Sequence, residues 1–110
     1  MSTSSRIPEL DKLLQHRTRL GVCVLLTRHD AMAFVRLRDL LGETDGNLSV
    51  HLRKLEEAEY VSVSKEFADR KPQSWYLLTE TGRRRLTGHL EALEEYVRAA
   101  AGDDVSWIED

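Results

Sequence analysis

The chain has 110 residues, 41% of them apolar, and a formal charge of −3, enough to bury one core and leave little for a second. The opening Met1-Ser2-Thr3-Ser4-Ser5-Arg6 has no apolar h-region and no stretch reaches the roughly 18–20 apolar residues of a membrane span, so a cytoplasmic location is expected. The acidity is a tail: residues 101–110 hold four acids and no base, which leaves residues 1–100 at +1. That balance argues against strong nonspecific affinity for a polyanion. It permits a local basic surface, because counterion release depends on cations placed near phosphates.

In chain order, Ser5 and Pro8 open a first helix over about 6–15, with Ile7, Leu10 and Leu14 as its apolar stripe. A second helix, about Thr18 to Arg28, carries the most apolar run and is the expected centre of the core. The single cysteine, Cys23, lies inside that run and reads as a core thiol. Asp30 to Ala33 allow a turn and a very short strand. Phe34, Leu37 and Leu41 then give the buried face of a third helix, which Gly42 ends.

Thr44 is the expected N-cap of the next helix, with Asn47 at N3. Within it Leu48, Leu52 and Leu55 recur at i, i+4 and i+7, a buried stripe, while Asn47, Ser49, Val50, Arg53 and Lys54 fall on the other side. A short helix, a tight turn and a second helix of this make are how a helix-turn-helix presents a recognition helix to the major groove. This helix is expected to end near Ala58.

Val61, Val63 and Phe67 keep a period of two, the mark of a half-buried strand. Residues 68–72 supply turn chemistry with two adjacent cations, Arg70 and Lys71, and Gln73 to Leu78 supply a second strand, completing a β-hairpin. Thr79 caps a long helix that continues to about Ala100. On it Leu86, Leu90, Leu93 and Val97 are spaced by 4, 3 and 4, a seam of coiled-coil kind that one small domain would struggle to cover. A homodimer would cover it, with Ile7, Leu10 and Leu14 as the second contributor and two recognition helices about 34 Å apart. The alternative is that the stripe packs back on its own core. Trp107 and Ile108 in the acidic tail are expected to dock on the body.

Here the chain resembles small bacterial and archaeal winged-helix transcriptional regulators of the MarR/ArsR-like group. Arg19-Leu20, the block Phe34 to Leu41, and Asp45-Gly46-Asn47-Leu48-Ser49 with His51-Leu52-Arg53-Lys54-Leu55-Glu56 carry the resemblance. So do Tyr60-Val61, Pro72 with Trp75-Tyr76, and Leu78-Thr79 with Gly82-Arg83. The implied fold is mainly α with a small β-hairpin: a winged helix-turn-helix over residues 1–100 with a long C-terminal dimerisation helix, followed by the acidic tail 101–110.

The implied function is homodimeric, sequence-specific binding of double-stranded DNA to regulate transcription. The recognition helix, about 45–58, enters the major groove, and the wing, about 67–73, lies on the flanking backbone or minor groove. Carried over by position, Asn47, Ser49, Val50 and Arg53 face the groove, Lys54 meets phosphate, and Arg70 and Lys71 belong to the wing. Asn and Arg offer paired hydrogen bonds to base edges, and cations are drawn to a narrow groove. Gly46 lets the backbone approach a phosphate at the helix N-terminus.

Two positions depart from the pattern. Glu43 stands where relatives usually place an apolar residue, so either the turn is more open or the carboxylate points to solvent. Glu59 replaces the glycine that commonly follows the recognition helix; either it adopts a left-handed backbone, at a cost of roughly 1 kcal/mol, or the helix ends differently.

His51 is placed either to touch a phosphate or to hydrogen-bond within the domain, and Arg83-Arg84-Arg85 either to touch phosphates or to pair with acids. Histidines at 16, 29, 51 and 89 and one cysteine show no metal-ligand spacing, so neither metal nor other cofactor is expected. No nucleophile–base pair or phosphate loop suggests an enzyme. A small-molecule effector stays open as a partner, with no residue set to identify it. The reading from another class is a winged-helix protein-interaction or anti-regulator module that does not bind DNA.

Overall fold

The computed structural model describes residues 7–68 and 70–108. In order they form a 3-10 turn (Lys12–Gln15), helix α1 (Arg17–Thr27), strand β1 (Met32–Ala33), α2 (Phe34–Leu41) and α3 (Asp45–Glu57). Strands β2 (Val61–Ala68) and β3 (Lys71–Leu78), helix α4 (Glu80–Ala100) and a second 3-10 turn (Ser106–Ile108) follow. Four helices and an antiparallel sheet of order β1-β3-β2 make a winged helix. No helix among the described residues is long and apolar enough to cross a membrane.

Helix α1 is the centre of the core, as its apolar run suggests. Its Val22, Cys23 and Leu26 are fully buried and pack in one cluster with Leu37, Leu48, Leu52, Leu55, Val61 and Leu86. Burial pushes the Cys23 thiol up to about 12, with a smaller push from the Asp11 charge.

The caps follow the sequence closely. The Thr44 hydroxyl accepts from the Asn47 N–H at 3.1 Å and the Thr79 hydroxyl from the Gly82 N–H at 2.9 Å, so α3 and α4 start where local chemistry places them. Helix α2 ends at Gly42 in the left-handed region, φ 66°, with the Glu43 N–H donating to the Arg38 carbonyl at 3.1 Å. Helix α3 ends in the same motif at Glu59, φ 66°, with the Tyr60 N–H donating to the Leu55 carbonyl at 2.8 Å. Of the two expectations for Glu59, the left-handed one holds. The gain that offsets its strain is local: the turn delivers Tyr60 into the core, and the Thr79 hydroxyl donates to the Glu59 carbonyl at 2.6 Å.

The expected first helix over 6–15 is replaced, from residue 7, by an irregular segment and the 3-10 turn; its proposed opening at Ser5 lies outside the described residues. Long-range bonds take up the backbone groups that a helix would use. The Asp11 N–H donates to Nδ1 of His89 at 2.9 Å, and the Tyr96 hydroxyl donates to the Pro8 carbonyl at 2.7 Å. The Asp11 carboxylate itself caps the turn through the Leu13 N–H at 2.9 Å.

The hairpin is tighter than its turn residues suggest. Val61 pairs with Leu78, Val63 with Tyr76, Phe67 with Pro72 and Ala68 with Lys71, so pairing runs on through residues read as turn. Arg70 takes a left-handed backbone, φ 65°. Pro72 is tolerated inside β3 because β1 pairs with β3 at Trp75 and Tyr76, leaving that edge free nearer the tip. Of the acidic tail, Val105 is buried and Trp107 sets its edge against Tyr96, centroids 5.3 Å apart, and donates from Nε1 to Glu95 at 3.0 Å. Ile108 stays exposed, and Glu109 and Asp110 lie outside the described residues.

Candidate nucleic-acid interface

Helix α3 divides its residues cleanly. Leu48, Leu52 and Leu55 are fully buried, while Gly46, Asn47, Ser49, Val50, Arg53 and Lys54 are all exposed. The outer face therefore combines an amide and a guanidinium for paired hydrogen bonds, a hydroxyl, a methyl-bearing side chain suited to a thymine methyl, and an ammonium for phosphate. A Cβ added at Gly46 would meet nothing within 4 Å, so no neighbour inside the protein requires glycine there. It leaves the first turn of α3 bare for an approaching anion.

The base of α3 is locked to α1 by polar side chains. Glu43 turns neither outward nor into a widened turn: its carboxylate accepts the Thr18 hydroxyl of α1. That bond first, and the Asn47 side chain next, hold the Glu43 carboxyl below its ordinary range. Beside it the Arg19 guanidinium donates to Nδ1 of His51 at 2.9 Å, and the His51 ring lies against His16, centroids 4.1 Å apart. Burial, then His16 and Arg19, push His51 below its ordinary value. His51 thus takes the within-domain role of its two readings. Nδ1 of His16 caps α1 by accepting from the Thr18 N–H at 3.1 Å.

Arg38 was not legible as part of this region. Its guanidinium bridges Asp45 of α3 at 2.8 Å and Asp39 at 3.1 Å, and those carboxylates raise its pKa, Asp45 first. A cation at the α2–α3 turn is thereby spent on orienting the turn. Periodicity could not have found it, since its partner lies across the turn.

At the wing, Arg70 and Lys71 are exposed, as is Lys65 further down β2. Of Arg83, Arg84 and Arg85, all exposed, the last two line a cleft of about 730 Å³ together with Asp11, Tyr60 and His89. There the Tyr60 hydroxyl donates to Asp11 at 2.5 Å; burial first, then this bond, push Tyr60 up to about 12.

The apolar seam of α4 is divided. Leu14 and Leu86 belong to the chain's own core, Leu10 and Leu93 are half-buried, and Ile7, Leu90 and Val97 stand 54%, 42% and 66% exposed. Among the described residues no three His, Cys, Asp or Glu side chains are placed to hold a metal ion.

A family model described as a winged helix DNA-binding domain matches residues 18–97. The chain belongs to that family. The winged-helix domain is similar to an uncharacterized protein of Methanocaldococcus jannaschii, 32% identical over 72 residues that cover 66% of this chain and 78% of that one. Its fold matches the structure of a transcriptional regulator homologue from Pyrococcus horikoshii with a TM-score of 0.76 and 28% identity, over 82% of this chain and 89% of that one. It also matches the transcriptional repressor CouR, solved bound to a 23-mer DNA duplex, with a TM-score of 0.69 and 19% identity, over 83% of this chain and 66% of that one. Membership of the family makes this winged helix a DNA-binding domain and not an enzyme.

Proposed function

We propose that the protein is a homodimeric, sequence-specific regulator of transcription of the MarR/ArsR-like kind, acting on double-stranded DNA in the cytoplasm. The observation that carries this reading is the clean division of α3, with every candidate groove residue exposed and every leucine of the stripe buried. Asn47, Ser49, Val50 and Arg53 read base edges in the major groove. Lys54 and the backbone at Gly46 hold phosphates, and Arg70 and Lys71 hold the flanking backbone or minor groove. Ile7, Leu90 and Val97, with the half-covered Leu10 and Leu93, form the contact between two copies. An unpartnered apolar surface of this kind on a helix fits two-fold pairing. An effector would enter the cleft between the N-terminal segment, Tyr60 and α4, where it touches both the turn that follows α3 and the dimer helix.

The test is selection of sites from a random duplex library, followed by affinity measurements for the enriched site at two salt concentrations. An inverted repeat is the expected product, with a loss of about 1–3 kcal/mol on Arg53→Ala and a steep salt slope. No enrichment at low salt overturns the reading in favour of a protein-interaction module.

A further inference from the structure

The alternation of β2 carries a residue that the core cannot explain. Val61, Val63, Lys65 and Phe67 share one face of the hairpin, opposite Leu78, Tyr76, Ser74 and Pro72 in turn. Val61 is buried and Val63 half-buried, yet Phe67 on the same face is 76% exposed. The sheet runs past the end of the body, and its apolar face runs on with it. A single exposed apolar side chain is ordinary; this one shares its face with the exposed Lys65 and lies beside the tip that carries Arg70 and Lys71, and residues 65–71 hold three cations against Glu66 and Asp69, so a partner that is apolar in part and anionic fits it.

We infer that Phe67 is an apolar wedge of the wing, inserted into the DNA minor groove against a base step while Lys65, Arg70 and Lys71 hold the flanking phosphates. This rests on the DNA-binding reading given above. The reach is adequate: seven steps from Val61 to Ala68 extend about 23 Å at ~3.3 Å per residue, against roughly half of a ~34 Å helical turn from the major groove to its neighbouring minor groove. The backing is stiff. Cross-strand pairs continue without a break to Ala68 and Lys71, and Phe67 stands directly opposite Pro72, whose ring fixes its own backbone.

A phenyl ring at a minor-groove step partly unstacks and kinks the duplex, which is cheapest at flexible TA or CA/TG steps. The wing would then contribute a sequence preference at the flanks of the site through deformability, with no base-edge hydrogen bond.

The experiment measures affinity and end-to-end fluorescence transfer on two duplexes sharing the selected half-sites, one with a TA step under the wing and one with G·C pairs there. The native protein is expected to favour and bend the TA duplex. Phe67→Ala loses that preference, about tenfold in affinity, and the bend with it, while binding the G·C duplex as the native protein does. Phe67→Leu keeps most of both. Equal behaviour of native protein and Phe67→Ala on the two duplexes overturns the wedge while leaving the DNA-binding reading intact. Failure of the native protein to bind either duplex overturns both. A shift in sedimentation on Phe67→Ala without DNA overturns the wedge in favour of contact with a second copy.

Discussion

The two ends of α3 are fastened by different means. At its start, side chains do the holding: Glu43 on Thr18, Arg38 on Asp45, and His51 on Arg19 and His16. At its finish, backbone does most of it, beside the Thr79 hydroxyl on the Glu59 carbonyl. Tyr60 follows a left-handed Glu59, its carbonyl accepts the Thr79 N–H at 3.0 Å, and Gly82 of α4 passes so close that a Cβ there would lie 2.1 Å from that carbonyl oxygen. Side-chain fastenings can be titrated and retuned one at a time, whereas a backbone fastening tolerates almost nothing. The position of α3 is therefore adjustable at one end and fixed at the other.

The largest effect is expected at the fixed end. Gly82→Ala must move α4 or the Tyr60 turn, and chemical denaturation is expected to show a loss of about 3 kcal/mol; a variant as stable as the native protein would mean that the close approach is not a constraint. At the adjustable end, Thr18→Val removes the hydroxyl given to Glu43 and is expected to cost about 1 kcal/mol while the fold, followed by circular dichroism, persists. Glu59→Gly relieves a left-handed backbone and is expected to raise stability by about 1 kcal/mol, the opposite sign at the same end as Gly82.

The smallest effect is the pH dependence of the adjustable end. The folded state favours neutral His51, so it binds fewer protons than the unfolded chain below the ordinary value of 6.5. The contribution is complete above that pH and is lost as pH falls through the lowered folded value. Glu43 behaves alike further down: its contribution is present above its ordinary 4.5 and lost as pH drops through the lowered value. Denaturation at pH 7.5 and at 5.5 is expected to show a smaller difference for His51→Gln than for the native protein. Equal differences would remove His51 from the fastening.

How far the sequence revealed this depended on how local each cause was. The α3 stripe, the Thr44 and Thr79 caps and the Gly42 stop depend on residues within a turn of one another, and all were legible. The segment at residues 7–11 was misread because Ile7, Leu10 and Leu14 are spaced as a helix would space them. The backbone groups there are taken by His89 and Tyr96, 78 and 88 residues from their partners Asp11 and Pro8. The partner of Glu43 is 25 residues away, so neither expectation for it included Thr18. In the α4 seam, spacing could not distinguish Leu86, buried in the chain's own core, from Leu90 and Val97, which are left open. At the wing, Pro72 suggested a longer turn, and the unpaired edge of β3 that admits it to the strand is a property of the assembled sheet.

Cys23 gives the molecule a reporter of its own opening. As the single sulfhydryl of the chain, fully enclosed and held almost entirely in its protonated form at neutral pH, it is shielded from alkylating reagents both by its surroundings and by its weak acidity. Alkylation has to wait for a fluctuation that parts α1 from the helices packed on it. The rate of modification, followed with and without a DNA duplex, then measures how far occupation of the outer surface quiets motion at the centre.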